Sequence, residues 1–262
     1  LPHASLPVDH PDMPFCLFAG PLSGTATPLC GLAAAATVSP LTDTFFDAQI
    51  GGRLAFELAK SGLAGLVVTG RADAPSGLVV EDGDVRLIPC PEAAALTTSE
   101  LAARLRFPGA LLRVGPAAWT GSALAGIVAD LPARATPGGL GLILAAKNLA
   151  FIAVRGSGRV PVADPGAFAA ARADILRLTA ASPALAGAHG IGRFGTAALM
   201  DLTDSRSMTP TANFRSTRFS GQKSVNAPAL ARLFAPRRTG CRACHLPCGR
   251  QDAHGRPLPD ID

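Results

Sequence analysis

GGLGLILAAKNLAFIAVRG, residues 138–156, is the most apolar long stretch of the chain, and it reads as two elements joined by a break. Gly138, Gly139 and Gly141 open a helix that runs to about Ala146. Lys147 and Asn148 interrupt it, and residues 151–154 return as a β-strand. A bilayer span needs about 20 mostly apolar residues without such a break. The stretch therefore belongs to a folded core, and the chain is expected to have no membrane span.

Working outward, short apolar runs alternate with Gly/Pro punctuation. Residues 15–19 read as a strand ending at Gly20-Pro21, and residues 33–38 as a second. Gly51-Gly52 precede a helix over 53–60 with Leu54 and Leu58 on one face, Lys60 in its last turn and Gly62 just beyond it. Residues 66–69 form a further β run. Residues 78–80 and 85–88 flank Glu81-Asp82-Gly83-Asp84, and Asp-Gly between apolar runs is a hairpin signal. Residues 111–114 read as a strand, followed by Gly115-Pro116 and a helix near 122–129, so strand, Gly-Pro, helix recurs as a loose internal echo. Asp164 at an N-cap and Pro165 at the first helical position start a helix reaching about Thr179, with Ile175, Leu176 and Leu178 giving it apolar character. Short helices with long loops are expected after it. The fold class is α+β, with boundaries at 1–160 and 161–262.

Composition agrees with a globular protein: 48% of the 262 residues are hydrophobic and 16% charged, with a mean hydropathy of +0.30. The formal charge of +5 is uneven. Residues 193–256 carry eleven Lys/Arg against Asp201, Asp204 and Asp252. Such a region attracts an acidic partner or is a solvated surface. Aromatic residues are sparse there, which argues against nucleic-acid binding. The N-terminus shows neither a basic start nor an apolar run, so a cytoplasmic location is expected. Both ends read as cut from a longer protein: there is no initiator Met, and the chain stops at Pro259-Asp260-Ile261-Asp262.

Cys241-Arg242-Ala243-Cys244-His245-Leu246-Pro247-Cys248 is the sharpest chemical feature. Three thiolates at C-x2-C-x3-C can converge on a [4Fe–4S] cluster, with the fourth ligand supplied from elsewhere. Zinc held by Cys241, Cys244, Cys248 and a histidine, His245 or His254, is a second reading. A c-type haem is a third, because Cys241 to His245 also spells C-x-x-C-H. Cys16 and Cys90 fall in or beside strands and read as small packing residues, and Cys30 is isolated. GPLSGT (residues 20–25), Gly51-Gly52 and GGLG (residues 138–141) each allow either a ligand's close approach or a tight turn between packed elements. No dinucleotide fingerprint, P-loop, H-E-x-x-H or nucleophile-elbow motif is present.

Taken together, the strings resemble the tungsten-dependent aldehyde:ferredoxin oxidoreductase family. GPLSGTATP (20–28) is similar to its GPLTGT element, and SPLTDTFFDAQIGG (39–52) to SPLTG…NSGG. RVGPA (113–117) is similar to IGPAGE, and residues 138–156 to GGxGAVMGSKNLKAIAVxG. GRFGT (192–196), TPTANF (209–214) and GCRACHLPCGR (240–250) follow in the family's order. The resemblance implies a two-sheet N-terminal domain with flanking helices, on which a tungsten- or molybdenum-bearing bis-pterin lies, followed by the beginning of a mainly helical domain. It implies Cys241, Cys244 and Cys248 as cluster ligands beside the pterin, and Gln49, Gly51, Arg134 and Ala135 as cofactor-binding positions. A small aldehyde would be the substrate, ferredoxin or a similar carrier the electron acceptor, and a homo-oligomer a compatible state. The chain departs from the pattern where the family carries phosphate-binding arginines: Leu32 and Pro137 stand there, Thr136 stands for a glycine and Gln49 for an asparagine. Neither Leu nor Pro replaces a bidentate guanidinium. These departures keep two alternatives open: an iron–sulfur electron-transfer paralog without pterin, and a zinc-bearing structural module.

Overall fold

Strict alternation along the strands builds the first sheet, in a computed structural model that describes residues 6–8, 10–130, 134–135 and 138–254. β1 (Phe15–Ala19) pairs antiparallel with β2 (Ala33–Val38), β2 with β3 (Phe45–Ile50), and β1 with β4 (Gly65–Val68). The order is β3-β2-β1-β4. Phe15, Leu17, Ala33, Ala35 and Ile50 point inward and are buried, while the residues between them face the other way.

The second sheet is covered on both faces at its centre, while its edge strand is exposed. β5 (Ser76–Glu81) and β6 (Asp84–Pro89) form the expected hairpin, with Asp82 and Gly83 both at positive φ, as a two-residue turn of the primed type requires. β7 (Ala110–Arg113), β8 (Ile127–Val128), β9 (Arg134–Ala135) and β10 (Leu149–Arg155) complete the order β6-β5-β10-β7-β8-β9. β10 is central, parallel to β5 and antiparallel to β7, and its residues through Val154 are buried. That explains why it reads as a continuous apolar run. Ile152 and Val154 join a core shared with Phe15 and Leu17 of the first sheet, Leu54 and Leu58 of α1 (Leu54–Lys60), and Leu140, Ile143 and Leu144. On the other face, Phe151 and Ala153 pack with Cys90 and Leu101, the latter on α2 (Thr98–Leu105).

Several elements differ from expectation. The helix expected near 122–129 is absent. A single turn, α3 (Pro116–Trp119), starts at Pro116, Gly121 turns the chain at φ +82, and residues 127–128 become β8. Pro at the first helical position set the start earlier than the apolar pattern indicated. The echo also fails at its first copy, since Gly20-Pro21 leads into turns rather than a helix. β3 and α2 were not anticipated. For α2 the signal was a complete capping box, in which Thr97 and Glu100 bond each other's backbone N–H groups.

α4 (Leu140–Ala146) begins where the glycines place it. Its glycines serve packing: a Cβ on Gly138, at φ +113, would strike the Phe46 ring, and one on Gly139 would strike Pro40. The polar break after α4 is a clamp. Lys147 Nζ donates to the carbonyls of Pro11 at 3.1 Å and Gly70 at 3.3 Å, and Asn148 Nδ2 to that of Ala72 at 2.6 Å.

The chain divides into compact units Leu1–Val162 and Ala163–Asp262. The second holds α5 (Pro165–Ala181), capped by Asp164 as expected, then α6 (Pro183–Ala186), α7 (Ile191–Phe194), α8 (Met200–Ser205), α9 (Gln222–Val225) and α10 (Ala227–Phe234). A small ladder of β11 (Arg237–Thr239) with β12 (Gly249–Gln251) follows. Among the described residues no helix is long and apolar enough to cross a membrane.

Candidate functional site

One face of the first sheet is left open within its unit. Its registered rows run Val67–Cys16–Ala36–Asp47 and Gly65–Phe18–Ala34–Gln49. The middle of this floor is small and half-buried, at Cys16, Ala34 and Ala36. Its rim is apolar on one side, with Phe18 44% and Val67 60% exposed. On β3 the rim offers Asp47 and Gln49, both exposed. A Cβ at Gly65 would strike the Phe18 ring, so the glycine lets that ring lie down on the floor. Burial raises the Cys16 thiol's pKa, which keeps it neutral.

The expected cofactor-binding residues come from two strands that lie together. Gln49 is on the open face, and Gly51 follows β3 directly. Arg134 and Ala135 form β9, whose backbone packs beside β3. Thr136 and Pro137 lie outside the described residues. Next to Gly51, the N–H of Arg53 donates to Asp130 Oδ2 at 2.7 Å, which fixes the Gly51-Gly52 corner. Sequence reasoning missed Asp130, which lies 77 residues from its partner. Leu32 is 42% exposed. The flat, small-residue floor with amide and carboxylate at its rim fits a planar heterocycle with hydrogen-bonding edges. Leu32 offers nothing to a phosphate.

In the second unit, the three clustered cysteines occupy the turn between β11 and β12. The Cys244 N–H donates to the Cys241 carbonyl at 3.1 Å, and Cys244 Sγ to that of Leu246 at 3.3 Å. Cys241 and Cys244 are half-buried and Cys248 is exposed. Among the described residues no three His, Cys, Asp or Glu side chains stand together as a metal-holding group. The loop is nevertheless firmly held. Arg250, buried, donates from Nη1 to the carbonyls of Pro247 at 2.9 Å and Gly249 at 2.7 Å. Its Nη2 donates to the carbonyls of Ile191 and Gly192, both at 3.2 Å. Gly195, at φ +71, backs the loop so closely that a Cβ would collide with the Cys248 carbonyl. GRFGT therefore serves to seat the cysteine loop, and Arg250 is the fastener that sequence reasoning did not single out.

Three thiols on a short pinned loop suit an iron–sulfur cluster as donors. His245 Nε2 lies 3.5 Å from the Arg172 guanidinium. Cys90 is buried in the second core and Cys30 Sγ is bonded to the carbonyls of Leu22 and Thr27, so neither belongs to this loop.

The family described as "Aldehyde ferredoxin oxidoreductase, N-terminal domain" matches residues 3–156, and "Aldehyde ferredoxin oxidoreductase, domains 2 & 3" matches residues 170–257. A tungsten-containing aldehyde ferredoxin oxidoreductase of Pyrococcus horikoshii is 30% identical over 236 residues, covering 88% of this chain and 39% of that protein. Its Pyrococcus furiosus counterpart is 29% identical, covering 92% and 40%. The chain thus spans about two fifths of the length of these relatives. The active-site complex BamBC of benzoyl coenzyme A reductase, solved with 1,5-dienoyl-CoA, shares the fold at a TM-score of 0.76 and 20% identity, over 95% of this chain and 40% of that one.

Proposed function

The chain belongs to the aldehyde ferredoxin oxidoreductase family, and from that membership we propose that the protein oxidises a small aldehyde to a carboxylic acid and sends the electrons out singly through a [4Fe–4S] cluster. The observation that carries this reading is the cysteine loop, whose backbone is clamped by Arg250 and Gly195 and which carries three thiols on one short turn. The open sheet face is the platform for a tungsten- or molybdenum-bearing pterin. When bound, that group supplies the two-electron site for RCHO + H2O → RCOO⁻ + 3 H⁺ + 2 e⁻.

The chain's own residues bind, orient and exclude water. Cys16, Ala34 and Ala36 would give the heterocycle a floor of small side chains, and Phe18 and Val67 would keep water from one side of it. Gln49 and Asp47 would hydrogen-bond its edge, and Gly51, steadied through Arg53 and Asp130, would let it approach the backbone. Arg134 and Ala135 border the same rim from β9. Cys241, Cys244 and Cys248 would hold the cluster, which would supply one-electron transfer toward ferredoxin or a similar acidic carrier.

A second reading, an electron-transfer paralog without pterin, is favoured by the exposed leucine at position 32. Metal analysis with an aldehyde-oxidation assay on the anaerobically prepared complete protein decides between them. Tungsten or molybdenum together with aldehyde-dependent reduction of a viologen dye supports the enzyme. Iron without either, and no reduction, supports the paralog.

A further inference from the structure

A cavity of about 290 Å3 opens against the cysteine loop, lined by Gly192 and Arg193 from α7, Arg238 from β11, and His245 and Pro247 from the loop. Two guanidiniums line it and, among the described residues, no carboxylate does. A third guanidinium, Arg172, stands 3.5 Å from His245 Nε2. Among the described residues neither Arg193 nor Arg238 makes an ion pair. Two cations brought together in this way, Arg193 and Arg238, repel one another and focus a positive potential into the concavity.

The concavity is also rigid. Arg250 ties the carbonyls of Ile191 and Gly192 in one wall to those of Pro247 and Gly249 in the other, so the opening does not depend on a loop closing. Small side chains leave the room, and a Cβ on Gly192 would come within 3.1 Å of Leu246 Cδ1. A pre-formed, cation-lined space of this size suits a phosphate or carboxylate group carrying a body of few atoms. We propose that this cavity is a binding site for a small oxoanion, held by Arg193 and Arg238 with His245 as a further polar contact.

The test is calorimetric titration of inorganic phosphate, and separately of acetate, into the anaerobically prepared complete holoprotein at low ionic strength. One saturable site is expected for at least one anion. Arg238 is exposed on β11, so Arg238→Ala leaves the packing in place. That variant should weaken binding about tenfold, the loss of one charge-assisted contact. Arg193→Gln should do the same, and Arg155→Ala, in the other unit, should change nothing. Saturation by phosphate alone assigns a tetrahedral anion, and displacement of phosphate by acetate assigns a carboxylate. Equal affinity in the wild type and Arg238→Ala, or no saturable binding of either anion, overturns the proposal.

Discussion

Arg250 donates four hydrogen bonds to carbonyl oxygens on two separate segments, α7 and the end of the cysteine loop. Replacing it with Met leaves those acceptors without their cation, at a cost of roughly 3 kcal/mol for a buried, charge-assisted set. Arg250→Met is therefore expected to lower the thermal midpoint and to lose iron, both read on the same anaerobic preparation. Cys244→Ser removes a thiolate while leaving the clamp, so it should abolish the visible iron–sulfur absorbance with a smaller loss of stability. Cys90→Ser, in the second core, should leave that absorbance intact. The three cysteines were legible in the sequence because their spacing is a local signal. Arg250, Gly195 and Asp130 were not, because what each does depends on a partner that only folding brings near.

At the scale of elements, the strands and helices whose apolar periodicity is uninterrupted were read at or near their bounds: β1, β2, α1, the β5–β6 hairpin, β7, α4 and β10. β3 escaped because its sequence, FFDAQI, mixes an acid and an amide into the alternation. Those polar positions face the open floor, so the residues that hid the strand are the ones proposed to serve the site. The helix expected over 122–129 failed for the opposite reason: Ile127 is buried in a two-residue strand against β7, while Leu124 is exposed. The Lys147-Asn148 break proved to be a clamp, and it makes a pH prediction. Burial pushes the Lys147 pKa below its ordinary 10.5, against a smaller opposing pull from Asp12. The folded state then binds fewer protons than the unfolded state between the lowered value and 10.5. The resulting stabilisation is complete above 10.5 and is lost as pH falls through the lowered value. The wild type should therefore gain stability on alkaline titration in that window. Lys147→Met should lack the gain, as followed by denaturant midpoints against pH.

For the whole molecule, the two-sheet platform followed by a helical unit was legible through the order of many soft motifs rather than any one of them. Charge is the other property of this scale. The eleven Lys/Arg of residues 193–256, against three Asp, surround the cysteine loop in sequence. An acidic electron carrier drawn by that field should be reduced more slowly as salt rises, because screening shortens the range of attraction to about 10 Å at 0.1 M. Stopped-flow reduction of a ferredoxin at increasing ionic strength measures this, and a salt-independent rate would remove the electrostatic account of docking. The central claim, that Cys241, Cys244 and Cys248 hold an electron-relaying cluster, is tested most directly by iron and acid-labile sulfide analysis of the complete polypeptide purified without oxygen. The account predicts a brown protein with about four irons and four sulfides per chain; a colourless, iron-free protein would contradict it.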